Sequence, residues 1–186
     1  MLVKEFVADA VSRYGIVAPV VSCFYAVRDL PYALDGAHDG VSLLRHRRGD
    51  CLAKSDLMMT AAAELGVPCR FVRWRYLLPE VVPDAAALPS RIDAHRTVQL
   101  NVGGSWLLAD PTHHPGLRQT ALTVSDWDGE HDTDPAYPPV GPLMIERIEP
   151  VAVRDALDEV RLWTASCPAE LAAWRAAYSA WLRQYE

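Results

Sequence analysis

The most constraining stretch of this sequence runs from Gly49 to Arg70, GDCLAKSDLMMTAAAELGVPCR. The Asp50 carboxylate can accept from a first-turn N–H, and the run from Cys51 to Leu65 is rich in Ala, Leu and Met, which favour helix. Gly66, with Pro68 just beyond it, ends that run. A helix over these residues puts Cys51 in its first turn. There, unpaired N–H groups and the positive end of the helix dipole stabilise a thiolate, the nucleophilic form of cysteine. Leu52, Leu57, Met58, Ala61, Ala62 and Leu65 form an apolar stripe, which predicts a central and rigid helix suited to mounting a reacting atom. An inert buried thiol is the other reading open at this point, and it is the commoner fate of a free cysteine.

At 186 residues the chain can bury a sizeable core. One domain over residues 1–150 with a C-terminal helical extension over 151–186, packed on the same domain, fits better than two domains. No apolar run approaches ~18 residues, and the start, MLVKEF, lacks a basic flank followed by an apolar signal core. A soluble, cytoplasmic protein without a membrane partner is expected. The net charge of −6 speaks against nucleic acid as a partner, although His46, Arg47 and Arg48 make a local basic patch beside Cys51. Cys23, Cys51, Cys69 and Cys167 are too dispersed for a zinc pattern, and a disulfide framework is not expected in the cytosol.

Upstream, Val3, Phe6, Val7, Ala10, Val11 and Tyr14 recur at helical spacing up to Gly15. Pro19 opens a second helix that stops before Pro31. Leu34 to Gly40 reads as a loop whose His38 either joins a site or, the commoner case, is an exposed loop histidine, followed by a helical turn from Ser42 to Arg45. Beyond Gly66, Cys69 to Tyr76 reads as a strand with Val72, Trp74 and Tyr76 on one face. Arg73 and Arg75 fall on the other face, either solvated or facing an anionic substrate. Pro79 to Pro89 reads as an irregular connection of the length used for lids and binding loops.

From His95 to Thr112, two runs of strand composition flank Gly103-Gly104, a pair that supplies the positive φ angles of a tight hairpin. If Val102 pairs with Ser105, then His95 and Asp110 share one face as diagonal neighbours, ~7 Å apart by backbone. Val98, Leu100, Val102, Leu107 and Ala109 then share the opposite face, expected to be the core. That apolar face locks the register. A carboxylate so placed orients an imidazole and stabilises its charged form.

Cys51, His95 and Asp110 thus make a nucleophile–base–orienter set. The chain resembles the transglutaminase-like superfamily in Gly49-Asp50-Cys51, Gly66-Val67-Pro68-Cys69-Arg70, His95, and Trp106-Leu-Leu-Ala-Asp110-Pro-Thr112. The resemblance implies a papain-like α+β core over residues 1–150, the catalytic domain, with N-terminal helices, a cysteine helix on an antiparallel sheet that carries His and Asp, and C-terminal helices. It also implies acyl transfer, or amide or peptide hydrolysis, through a Cys51 thioester. His95 acts as general base and acid, Asp110 orients it, and the Cys51 N–H helps to hold the oxyanion. The partners are an amide, peptide or thioester donor and an amine or water acceptor, with no cofactor. Arg96 and Thr97 follow His95 where many members carry a small residue and an aromatic one, and Leu52 stands where the large crosslinking enzymes have tryptophan. Protein crosslinking is therefore not carried over.

A non-catalytic binding module on the same scaffold is the runner-up. A metal-dependent hydrolase built from His95, Asp110, His113, His114 and His131 is a weaker alternative, because adjacent histidines on an extended segment point apart. No metal is assigned. The acidic run from Asp126 to Asp134 does not fit the helix–loop–helix calcium pattern and reads as a solvated loop. With Pro135, Pro138, Pro139 and Pro142 it is expected to be irregular and to wrap one end of the site. Two amphipathic helices finish the chain, from Val153 to Thr164 and from Pro168 to Gln184. The second bears a stripe of Leu171, Trp174, Tyr178, Trp181, Leu182 and Tyr185, facing the protein's own core, a second copy in a homodimer or a carrier protein.

Overall fold

The computed structural model describes residues 2–82, 88, 91–146 and 169–186. Helices α1 (Val3–Tyr14) and α2 (Pro19–Arg28) form as their apolar spacing dictates, α2 opening on proline at its first position. Strand β1 (Tyr32–Ala37) and α3 (Gly40–His46) lead into α4 (Cys51–Glu64), the cysteine helix. A four-stranded antiparallel sheet follows, built from β2 (Cys69–Leu77), β3 (Ile92–Val102), β4 (Ser105–Ala109) and β5 (Met144–Ile145) in the order β4-β3-β2-β5. Helix α5 (Ala169–Leu182) closes the described chain, ahead of a short 3-10 turn at Arg183–Tyr185. The helix expected from Val153 to Thr164 and most of the connection from Pro79 to Pro89 lie outside the described residues.

The hairpin has the expected register, Val102 facing Ser105 and Val98 facing Ala109. Gly103 and Gly104 adopt φ values of 60° and 89° in its turn. Val98, Leu100 and Ala109 pack with Phe6, Phe24, Leu57 and Met58 of the helices, so one sheet face is the expected core. Burying a Leu or Met side chain in such a core contributes about 1.5–3 kcal/mol. The opposite face is not solvated. Val72, Trp74, Tyr76 and Leu108 pack there against Leu117, Leu122, Tyr137, Trp174, Tyr178 and Leu182, making a second core. The α5 stripe is spent inward: Trp174, Tyr178 and Leu182 are buried, and Leu171, Trp181 and Tyr185 pack against the same cluster.

The segment read as a loop from Leu34 is instead the end of β1. Its backbone is engaged by the approach to the cysteine helix: Ala37 donates to the Arg48 carbonyl at 2.9 Å, and Asp50 donates to the Ala37 carbonyl at 3.0 Å. Gly49 is squeezed between β1 and the helices α3 and α4. A Cβ added there would lie 2.8 Å from the Ala37 carbonyl oxygen and 3.0 Å from the Ala53 side chain. Gly49→Ala should therefore destabilise the fold by about 1–3 kcal/mol, read as a lower urea midpoint. An unchanged midpoint would mean that the approach to Cys51 is not held this tightly.

Candidate active site

Asp50 caps the cysteine helix as its chemistry requires, accepting from the Ala53 N–H at 3.0 Å. Cys51 is half-buried in the first turn, where backbone N–H groups have no intrahelical acceptor. The second Asp50 oxygen lies 2.6 Å from His38 Nδ1. His38 is therefore not a free loop histidine: burial opposes its charge, but the bond to Asp50 outweighs that and raises its pKa.

His95 stands opposite Trp74 in the β2–β3 ladder, with its imidazole in the second core. Its ring meets Trp74 and Tyr137 edge-on, with centroids 4.8 and 5.3 Å away. Nε2 lies 2.9 Å from Asp110 Oδ2, and both side chains are 0% exposed. Asp110 is caged as well: the same oxygen accepts from Ala136 N at 2.9 Å, and Oδ1 accepts from Thr112 N at 3.3 Å. Burial works against the charge on each partner. Their mutual attraction prevails, raising His95 and lowering Asp110. The remaining ring nitrogen, Nδ1, has no hydrogen-bond partner among the described residues, while the nearby Cys51 thiol adds to the rise in the His95 pKa. Imidazole and thiol are neighbours.

The two meet in a cleft of about 390 Å³ whose walls include Tyr32, Leu34, Leu52, Tyr76, Asp93 and Arg175. Cys51, His95 and Asp50 also line it. Arg73 reaches the cleft, tied to Glu146 at 3.2 Å. Arg75 stays exposed on the strand, away from the cleft lining. Arg96 is committed to the cysteine helix, donating to the Leu52 carbonyl at 2.9 Å and to Ser55 Oγ at 3.1 Å.

The other histidines disperse. His113 Nδ1 donates to the Thr123 carbonyl at 2.8 Å, and burial lowers its pKa to about 3. His114 takes the Tyr32 N–H on Nδ1 and donates from Nε2 to the Tyr185 carbonyl. His131 pairs with Asp128 on an exposed turn. Among the described residues no three or more His, Cys, Asp or Glu side chains converge as a metal site. Sequence reasoning passed over Tyr137 and Ala136, which come from the proline-rich stretch without a motif to mark them. It also passed over Lys54, fully buried one helical turn after Cys51.

The pH dependence follows from the signs of the two shifts. A histidine raised on folding stabilises the protein fully below about pH 6.5 and loses that contribution as pH climbs through its raised value. A lowered aspartate contributes fully above about pH 4 and loses it as pH falls through its lowered value. Asp110→Asn should thus cost about 3 kcal/mol between pH 4 and 6.5, with a smaller cost near pH 10. Urea unfolding of both proteins at the two pH values checks this; an equal cost at each would mean that the pair is not charged in the folded protein.

No curated protein matches the chain. Among solved structures, a Cytophaga hutchinsonii protein proposed to be a cysteine protease is similar at 14% identity, over 78% of this chain and 49% of that one, with a TM-score of 0.44. A TGase is similar at 14% identity, over 61% of this chain and 31% of that one, with a TM-score of 0.42. The chain thus spans half or less of the length of either. Residues 7–111 match the sequence profile of the transglutaminase-like superfamily, a span that holds Cys51, His95 and Asp110. With more than half of its length in that match, the chain belongs to the transglutaminase-like superfamily.

Proposed function

We propose that the protein is a cysteine enzyme that moves or hydrolyses an acyl group through a thioester on Cys51. The observation that carries this reading is the His95 ring, held on Nε2 by a buried carboxylate while Nδ1 lies unpartnered beside a thiol at a helix tip. His95 takes the Cys51 proton from the side opposite Asp110, and the thiolate and imidazolium stabilise one another. The thiolate attacks the acyl carbon of an amide, peptide or thioester. A C–S bond forms, and the carbonyl electrons pass to an oxyanion near the Cys51 N–H. Collapse breaks the bond to the leaving group, which takes the proton from His95. An amine or water then gives its proton to His95 and attacks the thioester, releasing product and restoring the thiolate.

Alkylation with iodoacetamide tests the assignment in a Cys167→Ser background. Burial pushes the Cys23 thiol up to about 11 and the Cys69 thiol up to about 12, so neither should compete in the folded protein. Intact mass should show one fast adduct that Cys51→Ala abolishes. At pH 6, His95→Ala should slow it by about tenfold or more. A Cys51 that reacts equally fast with and without His95 would leave a non-catalytic binding module on this scaffold.

A further inference from the structure

The chain holds two lysines, Lys4 and Lys54, and they live in opposite surroundings. Lys4 is exposed on α1. Lys54 sits three residues after Cys51 on the inward side of α4 and is 0% exposed. Its Nζ donates to the carbonyls of Arg28 at 3.0 Å, Pro111 at 3.2 Å and Thr112 at 2.7 Å. Three carbonyl acceptors use the three N–H bonds of an ammonium, whereas a neutral amine has only two and would turn its lone pair on one of the oxygens. Burial pulls the Lys54 pKa well below that of an ordinary lysine, with Asp29 and Asp110 opposing the fall and Arg28 adding to it. The acceptor count favours the charged form against that burial. The groups whose charge bears on Lys54 are Arg28 and Asp29 at the end of α2, and Asp110, His113 and His114 after β4.

The acceptors define what Lys54 joins. Pro111 and Thr112 directly follow Asp110, and the Thr112 N–H itself donates to Asp110. One side chain therefore ties the turn that presents the carboxylate to the helix that presents the thiol.

We propose that Lys54 is a positioning residue of the Cys51–His95–Asp110 site: its buried ammonium pins the Asp110–Thr112 turn to the cysteine helix and so sets where the His95 imidazole stands relative to the Cys51 thiol. This rests on the catalytic reading above for its consequence, though not for its geometry. Lys54 touches no substrate; it acts through Asp110 and the backbone.

Two measurements on the full chain test it. In 15N-lysine-labelled protein, the lysine side-chain signals are two, and Lys54→Met identifies one of them. The Lys54 nitrogen should appear as an exchange-protected NH3+ at pH 7; a neutral amine there overturns the proposal, whether or not Cys51 is reactive and whether or not Lys54→Met folds. The second measurement is the pH profile of Cys51 alkylation in the Cys167→Ser background. Lys54→Met, if its near-ultraviolet circular dichroism remains native, should alkylate about tenfold more slowly than its parent at pH 6 yet within about twofold of it at pH 9.5, where the thiol ionises without help. A natively folded Lys54→Met with the parental profile overturns the positioning role. If the parent's alkylation is itself insensitive to His95→Ala, the catalytic reading has failed instead, and the ammonium signal still decides the geometry.

Discussion

The contact between the His95 imidazole and the Asp110 carboxylate is sealed from water on every side, and that seal sets demands on the rest of the molecule. Each ion taken out of water costs several kcal/mol unless its lone pairs and protons are matched. Here Asp110 collects the His95 ring nitrogen, the Ala136 N–H and the Thr112 N–H, and its own N–H donates to Thr133 Oγ1 at 3.0 Å. These donors come from β3, from the turn after β4 and from the proline-rich stretch beyond it. Three separate pieces of chain must therefore be docked before the carboxylate is satisfied, which makes the pair a product of the tertiary fold.

The seal requires two cores rather than one. Side chains on a strand alternate between faces, so a histidine placed away from the helical core would face solvent unless a second layer covers it. Tyr137, Trp174 and Tyr178 supply that layer, packed over Trp74 and Tyr76 of the sheet. Trp74 anchors it with its indole N–H on the Tyr137 carbonyl at 2.9 Å, and the Tyr76 and Tyr137 rings stack at 4.2 Å. The cysteine helix packs mainly into the first core through Ala53, Leu57 and Met58, while Cys51 at its tip packs against the second. The thiol and the imidazole meet at the seam, where a cleft opens.

Features governed by local periodicity were legible in the sequence. The span of the cysteine helix follows from Asp50 and Gly66, and the hairpin register from Gly103-Gly104 with its alternating apolar residues. Features held by backbone atoms far apart in the chain were not. β1 has no apolar alternation, with Tyr32, Ala33 and Leu34 in a row ahead of Asp35 and Gly36, and what orders its end is the hydrogen bonding of Ala37 to the segment from Arg48 to Asp50. Lys54 meets only main-chain carbonyls, which leave no mark on residue identity, so nothing in the sequence singled it out. His38 appeared exposed because its partner, Asp50, was already explained as a helix cap; a carboxylate has two oxygens, and here each serves a different donor.

The superfamily match ends at residue 111, yet the environment of the pair it contains does not. Ala136 and Tyr137 close over His95 and Asp110 from one side, and Trp174, Tyr178 and Leu182 hold that cover from the α5 side, with the Tyr137 and Tyr178 hydroxyls 3.2 Å apart. Arg175 on the same helix lines the cleft itself. The matched segment therefore carries Cys51, His95 and Asp110, whereas the low dielectric that strengthens the His95–Asp110 interaction, and part of the wall a substrate would meet, come from chain outside it. Under the acyl chemistry proposed above, conserving the first while varying the second would alter which acyl group is accepted without disturbing how it is attacked. The proposed Cys51 chemistry and the selectivity it would need thus draw on separate parts of this chain.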